Sequence, residues 1–151
     1  MADERYDNAM QRLKDNDVRI TPQRQIILKY LIDTDDHPSV ETIFHILGKT
    51  FPNLSMATVY NNLRLFKRLN LIIEMPSVDG GYRYDFYDHP HLHATCDNCN
   101  NIFDLEDPEF EEIEQHFKEI ATKDGFKPTI TNVEIHGICS DCQKKETAQN
   151  K

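Results

Sequence analysis

SMATVYNNLRLFKRLNLIIEMPSVDGGYRYDF, residues 55–86, is the stretch whose reading decides the fold. Ser55 can cap a helix running to about Leu69. Leu71–Met75 and Tyr82–Phe86 then read as two strands joined around Asp79-Gly80-Gly81, a hairpin turn signal. Upstream the chain reads as further helices. Residues 3–16 place Tyr6, Met10 and Leu13 on one face. Thr21-Pro22 is a helix start, with Thr21 as cap and Pro22 in the first helical position. Ile26, Ile27, Tyr30 and Leu31 give that helix its apolar stripe. Ser39 can cap a helix over Val40–Thr50, and Phe51-Pro52-Asn53 breaks the chain again. Three or four short helices followed by a two-stranded hairpin form the winged helix-turn-helix pattern. The hairpin is the wing, and Ser55–Leu69 takes the recognition-helix slot.

Residues 1–86 are therefore expected to be a winged-helix DNA-binding domain, with 87–90 a linker. Residues 91–151 make a small α/β domain with a polar tail, so the whole is an α+β chain. In the second half, strands are expected at Leu92–Cys96, Ile102–Leu105 and Thr131–Ile138. A helix is expected over about Glu109–Lys123, ending near Gly125, and the tail from Gln143 reads as frayed.

The chain has 151 residues and a formal net charge of −9, which at first sight opposes nucleic acid. The charge is uneven. Residues 1–85 hold 11 Lys and Arg against 12 Asp and Glu, and residues 86–151 hold 6 against 14. From Lys49 to Ile73 four residues are basic and none is acidic. Local charge at a contact governs phosphate binding more than the molecular total does. Ala57, Thr58, Tyr60, Asn61 and Arg64 can form the outer face of the recognition helix. They include residue types that touch phosphates, base edges and thymine methyls; ordinary packing or solvation is the alternative for Tyr60 and Asn61. The opening Met1-Ala-Asp-Glu4 is acidic and polar, and no apolar run reaches membrane length. The expectation is a cytoplasmic protein with no membrane partner, where paired cysteines favour a metal over a disulfide.

All four cysteines fall in two Cys-x-x-Cys pairs, Cys96/Cys99 and Cys139/Cys142, with 39 residues between the pairs. Each pair can grip one ion from a tight turn, and two pairs complete the closed tetrahedron of structural Zn²⁺. Four buried or reactive thiols are the alternative. A second cluster comprises His91 and His93 with Asp85 and Asp104 on neighbouring expected strands. His91 and His93, two apart on a strand, project to one side, so a single ion can take both. Imidazoles with carboxylates suit Fe²⁺, Mn²⁺ or Zn²⁺; solvated polar residues around a linker are the alternative. His37 lies too far off for spacing to recruit it. His45, His89, His116 and His136 are assigned to no site. Glu106, Asp107, Glu109, Glu111, Glu112 and Glu114 read as a solvated helix start.

Four runs together resemble the ferric uptake regulator family of metal-dependent repressors: Arg19-Ile-Thr-Pro-Gln-Arg24, Ala57-Thr-Val-Tyr-Asn-Asn-Leu63, His91-x-His93-x-x-Cys96-x-x-Cys99 and Gly137-Ile-Cys139-x-x-Cys142. The resemblance covers nearly the whole chain and is strongest to the family's peroxide-stress branch. It implies a homodimer on double-stranded operator DNA, with structural Zn²⁺ on Cys96, Cys99, Cys139 and Cys142. It also implies regulatory Fe²⁺ or Mn²⁺ on His37, Asp85, His91, His93 and Asp104. Iron-uptake members generally have Glu where this chain has Asp85 and Asp104. Peroxide is then sensed by iron-catalysed oxygenation of His37 or His91 to 2-oxo-histidine. The protein is consumed in that event, so no catalytic residues and no organic cofactor are expected. His136 departs from the Tyr expected at its position. Rival readings are an iron-, zinc- or manganese-uptake repressor on the same fold, a non-haem iron enzyme, and a zinc-stapled protein-interaction module.

Overall fold

The computed structural model describes residues 2–149. The chain divides into two compact units, Met1–Asp88 and His89–Lys151.

The first unit contains α1 (Ala2–Asp15), α2 (Pro22–Asp33), α3 (Val40–Gly48), α4 (Met56–Arg68), β1 (Ile72–Pro76) and β2 (Tyr82–Phe86). The three expected caps form. Thr21, Ser39 and Ser55 accept from the main-chain N–H three residues on, at 3.2, 3.2 and 3.0 Å. Each such cap stabilises its helix by about 1 kcal/mol. α1 and α4 end on residues in left-handed conformation, Asp17 and Asn70, both at φ 58°. In each case the following N–H reaches back five residues, Val18 to Leu13 O at 3.0 Å and Leu71 to Phe66 O at 2.9 Å. This closure satisfies terminal carbonyls and turns the chain sharply, here from α4 into β1. β1 and β2 pair antiparallel from Ile72↔Phe86 to Pro76↔Tyr82. The turn is closed by Ser77 N–H donating to Gly81 O at 2.8 Å, with Gly80 at φ 96°. Leu13, Ile27, Leu28, Ile43, Val59, Leu63, Phe66, Ile72 and Tyr84 are the buried centre of this winged helix. Truncating Phe66 to Ala would cost about 3–5 kcal/mol.

The second unit contains β3 (Leu92–Cys96), β4 (Ile102–Leu105), α5 (Phe110–Lys123), β5 (Glu134–Gly137) and α6 (Ser140–Gln149). Its sheet runs β4-β3-β5, antiparallel on one side of β3 and parallel on the other. α5 ends at Gly125, φ 90°, where the sequence placed the stop.

Three expectations need correction. The segment beyond Gln143 is helical within α6, anchored by the buried Cys142. Its residues are good helix formers, but it is polar on all sides, so no apolar stripe announces it. Asp85 does not lie on a strand neighbouring that of His93: β2 pairs with β1 in a separate sheet, whereas Asp104 on β4 stands opposite His93 as expected. Glu114 is not solvated: it is buried and paired with Lys118 at 3.2 Å, one helical turn on.

The two units are unequal in core. In the second, only Phe110, Cys96 and Cys142 are buried apolar side chains among the described residues. Phe103, Leu105, Ile113, Phe117, Ile120, Phe126, Ile135 and Ile138 remain exposed. A unit this small with so little buried apolar surface requires another source of stability.

Candidate metal centres and the exposed helix

Cys96 ends β3 and Cys99 lies on the turn into β4, which passes through Asn100 at φ 65°. Cys139 directly precedes α6, and Cys142 lies in its first turn. The parallel pairing of β3 with β5, ending at Cys96↔Gly137, brings the second pair to the first. All four Sγ atoms lie within 4.8 Å of one another, and Cys99 Sγ is 3.8 Å from Cys139 Sγ. A disulfide needs about 2.05 Å, so these are thiols. Zn–S bonds of about 2.3 Å at tetrahedral angles put sulfurs about 3.8 Å apart. The quartet therefore has the size of a zinc site.

The main chain also favours thiolate. Cys139 N–H and Cys99 N–H donate to Cys96 Sγ at 3.3 and 3.5 Å. Those donors, Cys139 first, pull the Cys96 thiol down to about 6. Cys142 moves the other way, to about 11. A hydrogen bond from Asn98 lowers it, but the thiols of Cys139, Cys96 and Cys99 together with burial outweigh that. Four thiolates crowded together repel, and a divalent cation is what makes that crowding favourable.

The second unit also carries a nitrogen–oxygen group. His93 on β3 stands opposite Asp104 on β4, and His91 directly precedes β3. His91 Nε2 lies 3.1 Å from His93 Nε2; Asp104 Oδ1 is 3.3 Å from His93 Nε2 and 3.7 Å from His91 Nε2. Metal–ligand bonds of about 2.1 Å put neighbouring donors about 3.0–3.4 Å apart in octahedral or tetrahedral geometry. The 3.1 and 3.3 Å separations fall within that range and the 3.7 Å one just outside it, and the donor set suits a divalent ion with hard and borderline ligands. Both imidazoles are buried. Their other nitrogens face oxygens: His91 Nδ1 is 2.9 Å from the His89 carbonyl, and His93 Nδ1 is 3.1 Å from Asn132 Oδ1.

The first unit presents a pair of its own. His37 Nε2 lies 3.7 Å from Asp85 Oδ2, with His37 buried. β2 fixes the His37 loop through the two residues before Asp85: Tyr84 N–H donates to Pro38 O at 3.0 Å, and Arg83 Nη1 donates to His37 O at 3.3 Å. His37 itself sits at φ 36°. A side-chain-bearing residue held there is strained, and such strain gathers at functional positions.

Two of the four unassigned histidines, His89 and His136, find ordinary partners. His89 Nε2 contacts Glu106 at 2.8 Å, and exposed His136 lies between Asp97 at 3.3 Å and Glu134 at 3.5 Å.

α4 buries Val59, Asn62, Leu63 and Phe66 and exposes Ala57, Tyr60, Asn61 and Arg64, with Thr58 half-buried. Asn62, which the sequence alone did not single out, fastens this helix. Its Oδ1 accepts from Arg24 Nε at 2.7 Å, and its Nδ2 donates to Thr58 O at 2.8 Å. Arg24 Nη1 also donates to Arg19 O at 2.6 Å. The Arg19-Ile-Thr-Pro-Gln-Arg24 run therefore pins α2 to α4 and has a structural role.

The Ferric uptake regulator family matches residues 15–136. A relative named Peroxide-responsive repressor PerR, from Staphylococcus saprophyticus, is 42% identical over 139 residues, 92% of each chain. The Peroxide operon regulator of Bacillus subtilis is 42% identical over 146 residues, 97% of this chain and 99% of its own. Among solved structures, the Helicobacter pylori ferric uptake regulator Fur superposes with a TM-score of 0.69 at 25% identity, covering 95% of this chain and 94% of its own. The winged helix, the cysteine quartet and the matched sequence agree: this chain belongs to the ferric uptake regulator family.

Proposed function

We propose that this protein is a metal-dependent DNA-binding repressor that responds to hydrogen peroxide. The observation that carries the reading is the convergence of His91, His93 and Asp104 donors at 3.1–3.7 Å, built separately from a zinc-sized thiolate quartet. Relatives at 42% identity over nearly the whole chain are named for peroxide response, which selects the effector among the family's possibilities.

In this reading Zn²⁺ sits on Cys96, Cys99, Cys139 and Cys142 and is structural. Fe²⁺ or Mn²⁺ is held by His37, Asp85, His91, His93 and Asp104. Three neutral imidazoles and two carboxylates balance the charge of a divalent ion. Five protein donors would leave such an ion room for one further small ligand. His37 and Asp85 belong to the winged-helix unit and the other three to the second unit. Binding by all five therefore orders the linker and sets the spacing of two recognition helices in a homodimer. The exposed Phe103, Leu105, Ile113, Phe117 and Ile135 are apolar surface suited to that dimer. Ala57, Thr58, Tyr60, Asn61 and Arg64 face double-stranded DNA. Iron, when bound, supplies the one-electron chemistry that reduces peroxide. One peroxide oxygen would end on the imidazole of His37 or His91 as 2-oxo-histidine and the other would leave as water; the altered ring would hold the ion poorly and the repressor would release DNA. The protein is spent in the event, so it is a sensor and not an enzyme. No helix among the described residues is long and apolar enough to cross a membrane, and a cytoplasmic site suits a regulator of this kind.

The test begins with a duplex selected from a random pool in the presence of Mn²⁺. Fluorescence anisotropy then follows its binding to Fe²⁺- and Mn²⁺-loaded protein before and after peroxide. Binding with either metal, lost only in the iron sample, is the expected result. Binding that survives peroxide with iron bound would leave an uptake repressor on the same fold.

A further inference from the structure

His93 is wholly buried, and its two ring nitrogens face different partners. Nε2 points at the other donors, His91 Nε2 at 3.1 Å and Asp104 Oδ1 at 3.3 Å. Nδ1 points at Asn132 Oδ1 at 3.1 Å. A neutral imidazole carries one proton, and a nitrogen that bears it cannot bind a metal. The acceptor behind the ring therefore decides which nitrogen is available in front. His91 is arranged the same way, with Nδ1 2.9 Å from a main-chain carbonyl. With both protons drawn to the back, two Nε2 lone pairs meet at 3.1 Å in a buried place. That arrangement is repulsive when empty and favourable around a cation.

We propose that Asn132 is a positioning residue for the regulatory metal, its side-chain carbonyl accepting the Nδ1 proton of His93 and so committing His93 Nε2 to the ion. The inference rests on His93 being a regulatory ligand. Asn132 is placed by the fold: β3 and β5 run parallel, and His93 N–H donates to Val133 O at 3.1 Å, beside Asn132 in the chain. The choice of an amide has a consequence. It orients the ring without adding charge, whereas a carboxylate there would raise the basicity of the ligand. Partners of this kind are worth roughly 10–100-fold in metal affinity.

The experiment uses the full chain with its zinc in place and the regulatory site stripped of metal. Long-range ¹H–¹⁵N correlation of the histidine rings reads the tautomers, and Mn²⁺ titration reads affinity. In the wild type His93 is expected as the Nδ1–H tautomer. Asn132→Leu, similar in volume but lacking the acceptor, should shift His93 toward the other tautomer. It should also weaken Mn²⁺ roughly 10–100-fold, with the zinc content and the thermal transition unchanged. Asn132→Asp, which keeps an acceptor, should restore the tautomer and bind Mn²⁺ at least as tightly as the wild type. An unchanged His93 tautomer and unchanged affinity in Asn132→Leu would overturn the proposal, as would failure of a folded Asn132→Asp to restore them. Absence of Mn²⁺ binding in the wild type would overturn the ligand reading beneath it, and the tautomer measurement, made without Mn²⁺, separates the two.

Discussion

Cys139→Ser tests the zinc quartet cleanly because of where Cys139 stands. It directly precedes α6, and its carbonyl accepts from Gln143 N–H at 3.0 Å. Serine is a favoured residue at a helix N-terminus, so the substitution does not weaken α6 by itself. Any loss must come through the metal. Structural zinc supplies about 10–16 kcal/mol of apparent folding energy in small metal domains. If four thiolates share that equally, removing one costs about 2.5–4 kcal/mol. A unit of about 60 residues has a total stability of only about 3–9 kcal/mol. At roughly 4–8 °C per kcal/mol, the transition of the second unit should fall by about 10–32 °C. The assay pairs zinc by elemental analysis with calorimetry and size-exclusion chromatography. One zinc per chain should drop well below stoichiometric, with the low-temperature transition shifted or lost and the protein monomeric. A variant that keeps full zinc and the wild-type transition as a dimer would refute the quartet.

Three further outcomes follow from particular contacts. Asp104→Glu lengthens the carboxylate opposite His93; metal-dependent DNA binding should persist while the peroxide response weakens, and a peroxide titration by anisotropy checks this. Arg64→Ala removes an exposed cation from α4; affinity should fall across sequences and the log–log salt slope should drop by about one, as measured at several salt concentrations. The buried Tyr84 hydroxyl, which donates to Glu74 Oε2 at 3.0 Å, is held above the usual tyrosine range by burial first and Glu74 second. Its contribution is full below the unfolded value of about 10 and is lost as pH rises above it. Tyr84→Phe should therefore flatten the alkaline limb of the stability curve, read by denaturant unfolding between about pH 8 and pH 11.

How much could be read in advance depended on whether each signal was local. The caps at Thr21, Ser39 and Ser55 and the stop at Gly125 are encoded within a few residues, and all appear where the sequence put them. The cysteine pairs were equally local, since each grips from one turn. What was missed depends on pairing and packing at a distance. Asp85 occupies a different sheet from His93, and spacing along the chain carries no sheet order. α6 went unseen because a helix polar all round has no apolar period. Glu114 looked like one acid among six, and only packing reveals that it is buried. Asn132 and Asn62 act on residues 39 and 38 positions away, through a parallel strand pairing and a helix crossing. Neither leaves a trace in spacing.

The central claim is a histidine-oxidising peroxide response, and peptide mapping meets it most directly. Purified protein is loaded anaerobically with Fe²⁺ or with Mn²⁺, given a small excess of hydrogen peroxide, digested and mapped by mass spectrometry. The account predicts one added oxygen atom on the peptide containing His37 or His91, in the iron sample only. Unmodified histidines with iron demonstrably bound would contradict it.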